Sequence, residues 1–85
     1  HERKVAVLGS DGVSDVMRNP DTEMWPMPIH QCGIVAMGLH LLDNLRLENL
    51  MDACIRHDRW EFLLVIAPLR VARGTGSPVN PIALF

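Results

Sequence analysis

His30 is the side chain whose type and setting most suggest chemistry. It lies in "WPMPIHQCG" (25–33), where two prolines flank Met27 and stiffen the backbone ahead of a helix that begins near Pro28. The positive end of a helix dipole disfavours imidazolium, so a neutral ring is expected there. Neutral imidazole is the form that ligates a metal or acts as a general base. The competing reading is a histidine that only hydrogen-bonds the preceding loop. His40 and Asp43 follow at intervals of 10 and 13 residues. Neither interval matches a ligand pair on one helix, so a shared site requires the chain to fold back. Asp43, or Asn44 beside it, also suits the cap of the next helix. His40 reads as a surface or connector residue.

Asp11 and Asp15 stand in the loop after the first apolar run, where α/β sheets gather their ligand sites. The loop that carries Asp11 and Asp15 is therefore a candidate for a substrate wall, against the plainer reading of Asp, Ser and Gly forming turns. "RGTGSP" (73–78) lacks the Lys-Ser/Thr pair that ends a phosphate loop and is followed by a proline and a strand, so a turn is expected. No Cys-x-x-Cys, Gly-x-Ser-x-Gly or complete metal motif occurs in the sequence.

The elements that must position these residues are short. Val5–Leu8 is an apolar run broken at Gly9, which predicts a buried strand. Residues 9–24 read as a long loop. Ile29, Cys32, Ala36 and Met37 recur at helical spacing, and Gly38 predicts that helix's end. Residues 39–44 read as an extended connector. Leu47, Leu50, Met51, Cys54 and Ile55 give the clearest amphipathic helix, with His57 in its last turn. "WEFLLVIAPL" (60–69) predicts a central strand covered on both faces, and "PIALF" (81–85) a final strand. The fold class expected is α/β, with a mixed sheet of about three strands and two helices.

Eighty-five residues allow one small domain. Its 48% apolar content is high against 21% charge, which suggests apolar surface covered by a partner or by further chain. The sequence begins with His1 and stops within a strand-like run, and it is read as a piece of a longer protein. A net charge of −2 with scattered basic residues gives no electrostatic case for nucleic acid or an anionic membrane. No apolar run reaches the length of a membrane span. Cys32 and Cys54 sit in apolar helical patterns and read as buried thiols of a cytoplasmic protein.

Taken together, a strand ending in "LGSDG", then "MPIHQCGIVAMG", "LLDNLRLENL" and "WEFLLVIAPLRVARGTGSPVNPIALF" resemble the C-terminal part of the cyclase family. That family includes bacterial kynurenine formamidases and isatin hydrolases, which are metal-dependent amide hydrolases. The resemblance covers nearly the whole chain, and "GTGSPVNPIAL" is its most family-like stretch. It implies that residues 1–85 are the C-terminal portion of a single domain with the family's swivelling β/β/α fold. The family's His-x-Gly-Thr-His-x-Asp-x-Pro motif, which supplies most metal ligands, is absent from this sequence. His30 matches the family's later histidine and Asp43 its acidic position. Asp replaces the usual Glu there, and the interval is one residue longer.

By that resemblance, His30 and Asp43 are catalytic and metal-facing residues, and Asp11 and Trp25 contact substrate. Trp25 or the neighbouring methionines would otherwise lie at a subunit contact. The metal implied is zinc or manganese, bound by the intact protein and not by this chain alone. The partners implied are a formamide or lactam-like substrate and further copies in a homo-oligomer. The alternative is a non-catalytic cyclase-like domain serving as a binding or oligomerisation module.

Overall fold

A computed structural model describes residues 2–16 and 26–85. The chain divides into two compact units, His1–Leu47 and Glu48–Phe85. Trp25, expected at the substrate, lies outside the described residues.

In the first unit, β1 (Val7–Gly9) pairs in parallel with β2 (His40–Leu42), in the register Val7 to His40, Leu8 to Leu41 and Gly9 to Leu42. Parallel strands need a long crossover connection, and residues 10–39 provide it. The segment read as a connector is thus partly a strand. Its apolar Leu41 and Leu42 are half-buried, and three residues are too few for periodicity to reveal. Beyond the strands the pairing continues: Ser10 N–H donates to Leu42 O at 3.0 Å, and Leu45 N–H to Ser10 O at 2.9 Å. Asn44 N–H then donates to Gly12 O at 3.0 Å, so this edge of the loop is tied to the end of β2.

The crossover carries α1 (Pro28–His30), which continues directly as a π-helical segment, Gln31–Ala36. Pro28 opens the helix, where its missing N–H costs nothing. The wider pitch is visible in Met37 N–H, which reaches Cys32 O five residues back. Gly38, at φ 65°, reverses the chain in the left-handed region, and Leu39 N–H closes on Gly33 O at 2.8 Å. Gly33 is the buried residue of this segment, under the Leu39 and Leu41 side chains.

In the second unit, α2 (Glu48–His57) places Glu48 in its first turn and Arg56 and His57 in its last, each favourable to the helix dipole. It ends in a Schellman motif: Asp58 at φ 48° donates to Ile55 O at 3.2 Å, and Arg59 N–H donates to Cys54 O at 3.0 Å. β3 (Leu63–Val65) and β4 (Ile82–Leu84) form an antiparallel pair, with Leu63 opposite Leu84 and Val65 opposite Ile82. Phe85 stacks on His57 with ring centres 5.0 Å apart, and Phe62 and the Arg59 guanidinium also lie against it.

The fold is therefore mixed α/β, as expected, but the described strands form two separate two-stranded sheets and not one sheet of three. Three further expectations are corrected. β3 is not a covered central strand, because among the described residues it has one neighbour and all three of its residues are exposed. The amphipathic stripe of α2 buries Cys54, whereas Met51 and Ile55 stay exposed. Cys32 is an exposed free thiol, and Cys54 is the buried one.

Candidate functional site

The carboxyl ends of β1 and β2 lie side by side because the strands are parallel. Ser10 follows β1 and Asp43 follows β2, so the two loops emerge together. This is the position at which parallel α/β sheets present their functional groups. α1 delivers His30 to the same end, and three segments distant in sequence meet there.

The His30 ring sits between two carboxylates. Its Nδ1 is in hydrogen-bond contact with Asp15 Oδ2, and its Nε2 lies 2.8 Å from Asp43 Oδ2. Asp15 also accepts from the start of the helix, through Ile29 N–H at 2.7 Å and His30 N–H at 3.1 Å. A side chain from the preceding loop thus performs the capping that Met27, at the helix N-cap, does not provide. Asp43 is held from its other side. Ser14 donates to Asp43 Oδ1 twice, from its N–H at 3.1 Å and from its hydroxyl at 2.6 Å. Ser10 Oγ donates to Gly12 O at 2.7 Å and lies 3.1 Å from Ser14 Oγ. The His30 and Asp43 side chains retain 22% and 23% exposure while Asp15 keeps 2%, so one side of the pair faces solvent and the other is fixed within the fold.

The electrostatics follow from this arrangement. The hydrogen bond to Asp15 raises the His30 pKa; burial opposes it, and the contact with Asp43 adds to the rise. Burial pushes Asp15 upward, but the N–H of Ile29, the His30 ring and the His30 N–H outweigh it and hold the carboxyl below its usual value. The Ser14 hydroxyl is the largest influence on Asp43; with the Ser14 N–H and the His30 ring it lowers that carboxyl against the opposing effect of burial. The expected neutral ring at His30 is therefore corrected. Asp15 neutralises the helix end, and carboxylates at both nitrogens favour imidazolium.

Asp43 is also not the cap of the following helix, because α2 begins only at Glu48 and the carboxylate is engaged by Ser14 and His30. Asp11 is exposed and stands outside the network. It lines a shallow concavity of about 370 Å³ together with Gly12, Ser14, Asp15 and Ile29. His40 is exposed on β2, and residues 72–73 form a turn in which Gly74 N–H donates to Val71 O.

Imidazole nitrogen and carboxylate oxygen suit zinc or manganese, and a carboxylate on the far ring nitrogen is the usual support of a ligating histidine. His30, Asp43 and Asp15 fit that pattern in part. Among the described residues, no group of three or more His, Cys, Asp or Glu side chains is arranged to hold a metal ion. Ser14 and Ser10 were not legible as site residues, since small hydroxyl residues in a Gly- and Asp-rich loop signal turns. No helix among the described residues is long and apolar enough to cross a membrane. No family model matches the chain, and no curated protein or solved structure matches it.

Proposed function

We propose that the chain is part of a metal-dependent hydrolase of the cyclase type, acting on the C–N bond of a formamide or lactam-like substrate. The observation that carries this reading is the convergence at 2.8 Å of His30, on the crossover, and Asp43, just after β2, the two residues the resemblance singles out. When bound, zinc or manganese lowers the pKa of a water and polarises the substrate carbonyl.

With Nδ1 committed to Asp15, the ring nitrogen left for chemistry is Nε2, which faces Asp43 Oδ2. A single lone pair cannot hold a metal and exchange a proton at once. The raised pKa of His30 favours the proton-carrying role. In its neutral form, with the proton on Nδ1 held by Asp15, His30 Nε2 accepts the proton of the attacking water and returns it to the leaving nitrogen as the C–N bond breaks. Asp43 Oδ2 is the metal-facing oxygen. Asp15 fixes the ring orientation. Asp11 borders the concavity from which substrate would approach. A cytoplasmic homo-oligomer belongs to the same reading.

The test is hydrolysis of N-formyl and lactam substrates by the protein that carries this chain, supplied with zinc or manganese. Turnover should fall about 100-fold or more in His30→Ala, the usual weight of a general acid–base group. Metal-dependent hydrolysis that His30→Ala leaves untouched would sink the assignment. The second reading, a non-catalytic binding or oligomerisation module, is favoured by the exposed apolar residues of the second unit, such as Leu63, Ile82 and Leu84. It predicts no metal-dependent turnover at all.

A further inference from the structure

We propose that Ser14 is the positioning residue of this site, fixing Asp43 so that Oδ2 alone is turned toward His30 Nε2. The proposal rests on the reading of His30 and Asp43 as the working pair, and it extends that reading to a residue with no chemistry of its own.

A carboxylate rotates about its terminal bond in a broad, nearly two-fold profile. A single contact at Oδ2 would leave the plane of the group loosely set and its two oxygens interchangeable. Ser14 removes that freedom by placing two donors, its N–H and its hydroxyl, on Oδ1. Two donors fill the acceptor sites of that oxygen, so Oδ2 is left to face the ring. The backbone donor also belongs to a loop tied to β2 through Gly12 O and Asn44 N–H, which gives the clamp a rigid base.

The hydroxyl protons define the role further. Ser10 gives its one proton to Gly12 O, and Ser14 gives its own to Asp43. Ser14 therefore donates to a carboxylate and not to the imidazole. A nucleophilic serine would instead pass its proton to the histidine, as in a Ser-His-Asp triad. The order here is serine, carboxylate, histidine, carboxylate, which suits orientation and not covalent attack.

The experiment is proton NMR of the His30 ring in the protein that carries this chain, freed of metal by chelation and held at one pH. Wild type should give a slowly exchanging Nε2–H signal, because Asp43 Oδ2 shields that proton. Ser14→Ala should lose it while amide signals away from residues 10–14 and 43 stay in place. Ser14→Thr, which keeps the hydroxyl, should restore it. In the metal-loaded protein, kcat of Ser14→Ala should fall roughly 10–100-fold, the usual weight of an outer residue, with KM little changed.

A persistent Nε2–H in Ser14→Ala, or none in wild type, overturns the proposal. If Ser14→Ala does not fold, Ser14→Cys keeps the backbone donor and the volume but donates weakly; an undiminished signal there overturns it equally. A wild-type protein that hydrolyses no amide removes the proposed reaction, yet the ring signal still decides the role of Ser14.

Discussion

Asp15, His30 and Asp43 share one hydrogen-bonded network, and their pKa shifts set a window of stability. The folded pKa of His30 lies above its ordinary 6.5, so its contribution is complete below that value and is lost as pH rises through the folded pKa. Asp15 and Asp43 lie below their ordinary 3.8, so theirs is complete above that value and is lost as pH falls through the folded pKa. The network is therefore strongest between about pH 3.8 and 6.5, with all three groups charged. We expect the wild-type excess in denaturation midpoint over His30→Gln to peak in that interval and to shrink on both sides. An excess that grows steadily toward alkaline pH would contradict it. His30 was legible from its type and its proline-framed position, and Asp43 only through the family resemblance. Asp15 was seen as an acidic loop residue but not as the partner of His30, because an interval of 15 residues across a loop carries no periodic signal. Ser14 was not visible at all, since only the fold brings it to Asp43.

Elements with a strong local cause were the most legible. Pro28 marks the start of α1 and Gly38 its reversal, and the stripe through Leu50 and Cys54 marks α2. β2 was missed because a strand of three residues takes its identity from its neighbour, here β1. The π-helical pitch of Gln31–Ala36 was equally hidden, since apolar spacing over one or two turns does not separate it from an α-helix. Gly38 and Gly12 allow the local causes to be measured. Nothing stands within 4 Å of a Cβ at either, but Gly38 alone has a left-handed φ of 65°. Ala at such a φ costs roughly 1–2 kcal/mol. Gly38→Ala should therefore accelerate amide exchange over residues 34–39 by about 5–30-fold. Gly12→Ala should leave exchange at its own loop within about twofold, since surface substitutions fall within ±0.5 kcal/mol. Equal effects at the two positions would show that left-handed strain is not what Gly38 relieves.

Across the described residues, polar order is well developed and apolar burial is not. The site binds five side chains from three segments, whereas Cys54, at 2% exposure, is the one buried apolar side chain among the described residues. Val35 is 82% exposed, and Leu63, Ile82 and Leu84 each exceed half. Burial contributes about 25 cal/mol per Å² of apolar surface, so side chains left open add little against the conformational entropy of ordering the chain. An unsupported two-stranded antiparallel pair such as β3 and β4 is marginal in water. Much of the apolar content read from composition is thus surface left open among the described residues. For the chain alone we expect a broad, weakly cooperative thermal transition and strong binding of a hydrophobic dye before it, the behaviour of loosely fixed apolar packing. β3 and β4 amides should exchange nearly as fast as in an unfolded peptide. A sharp two-state transition, with calorimetric and van't Hoff enthalpies equal and no dye binding, would show that the chain packs on its own.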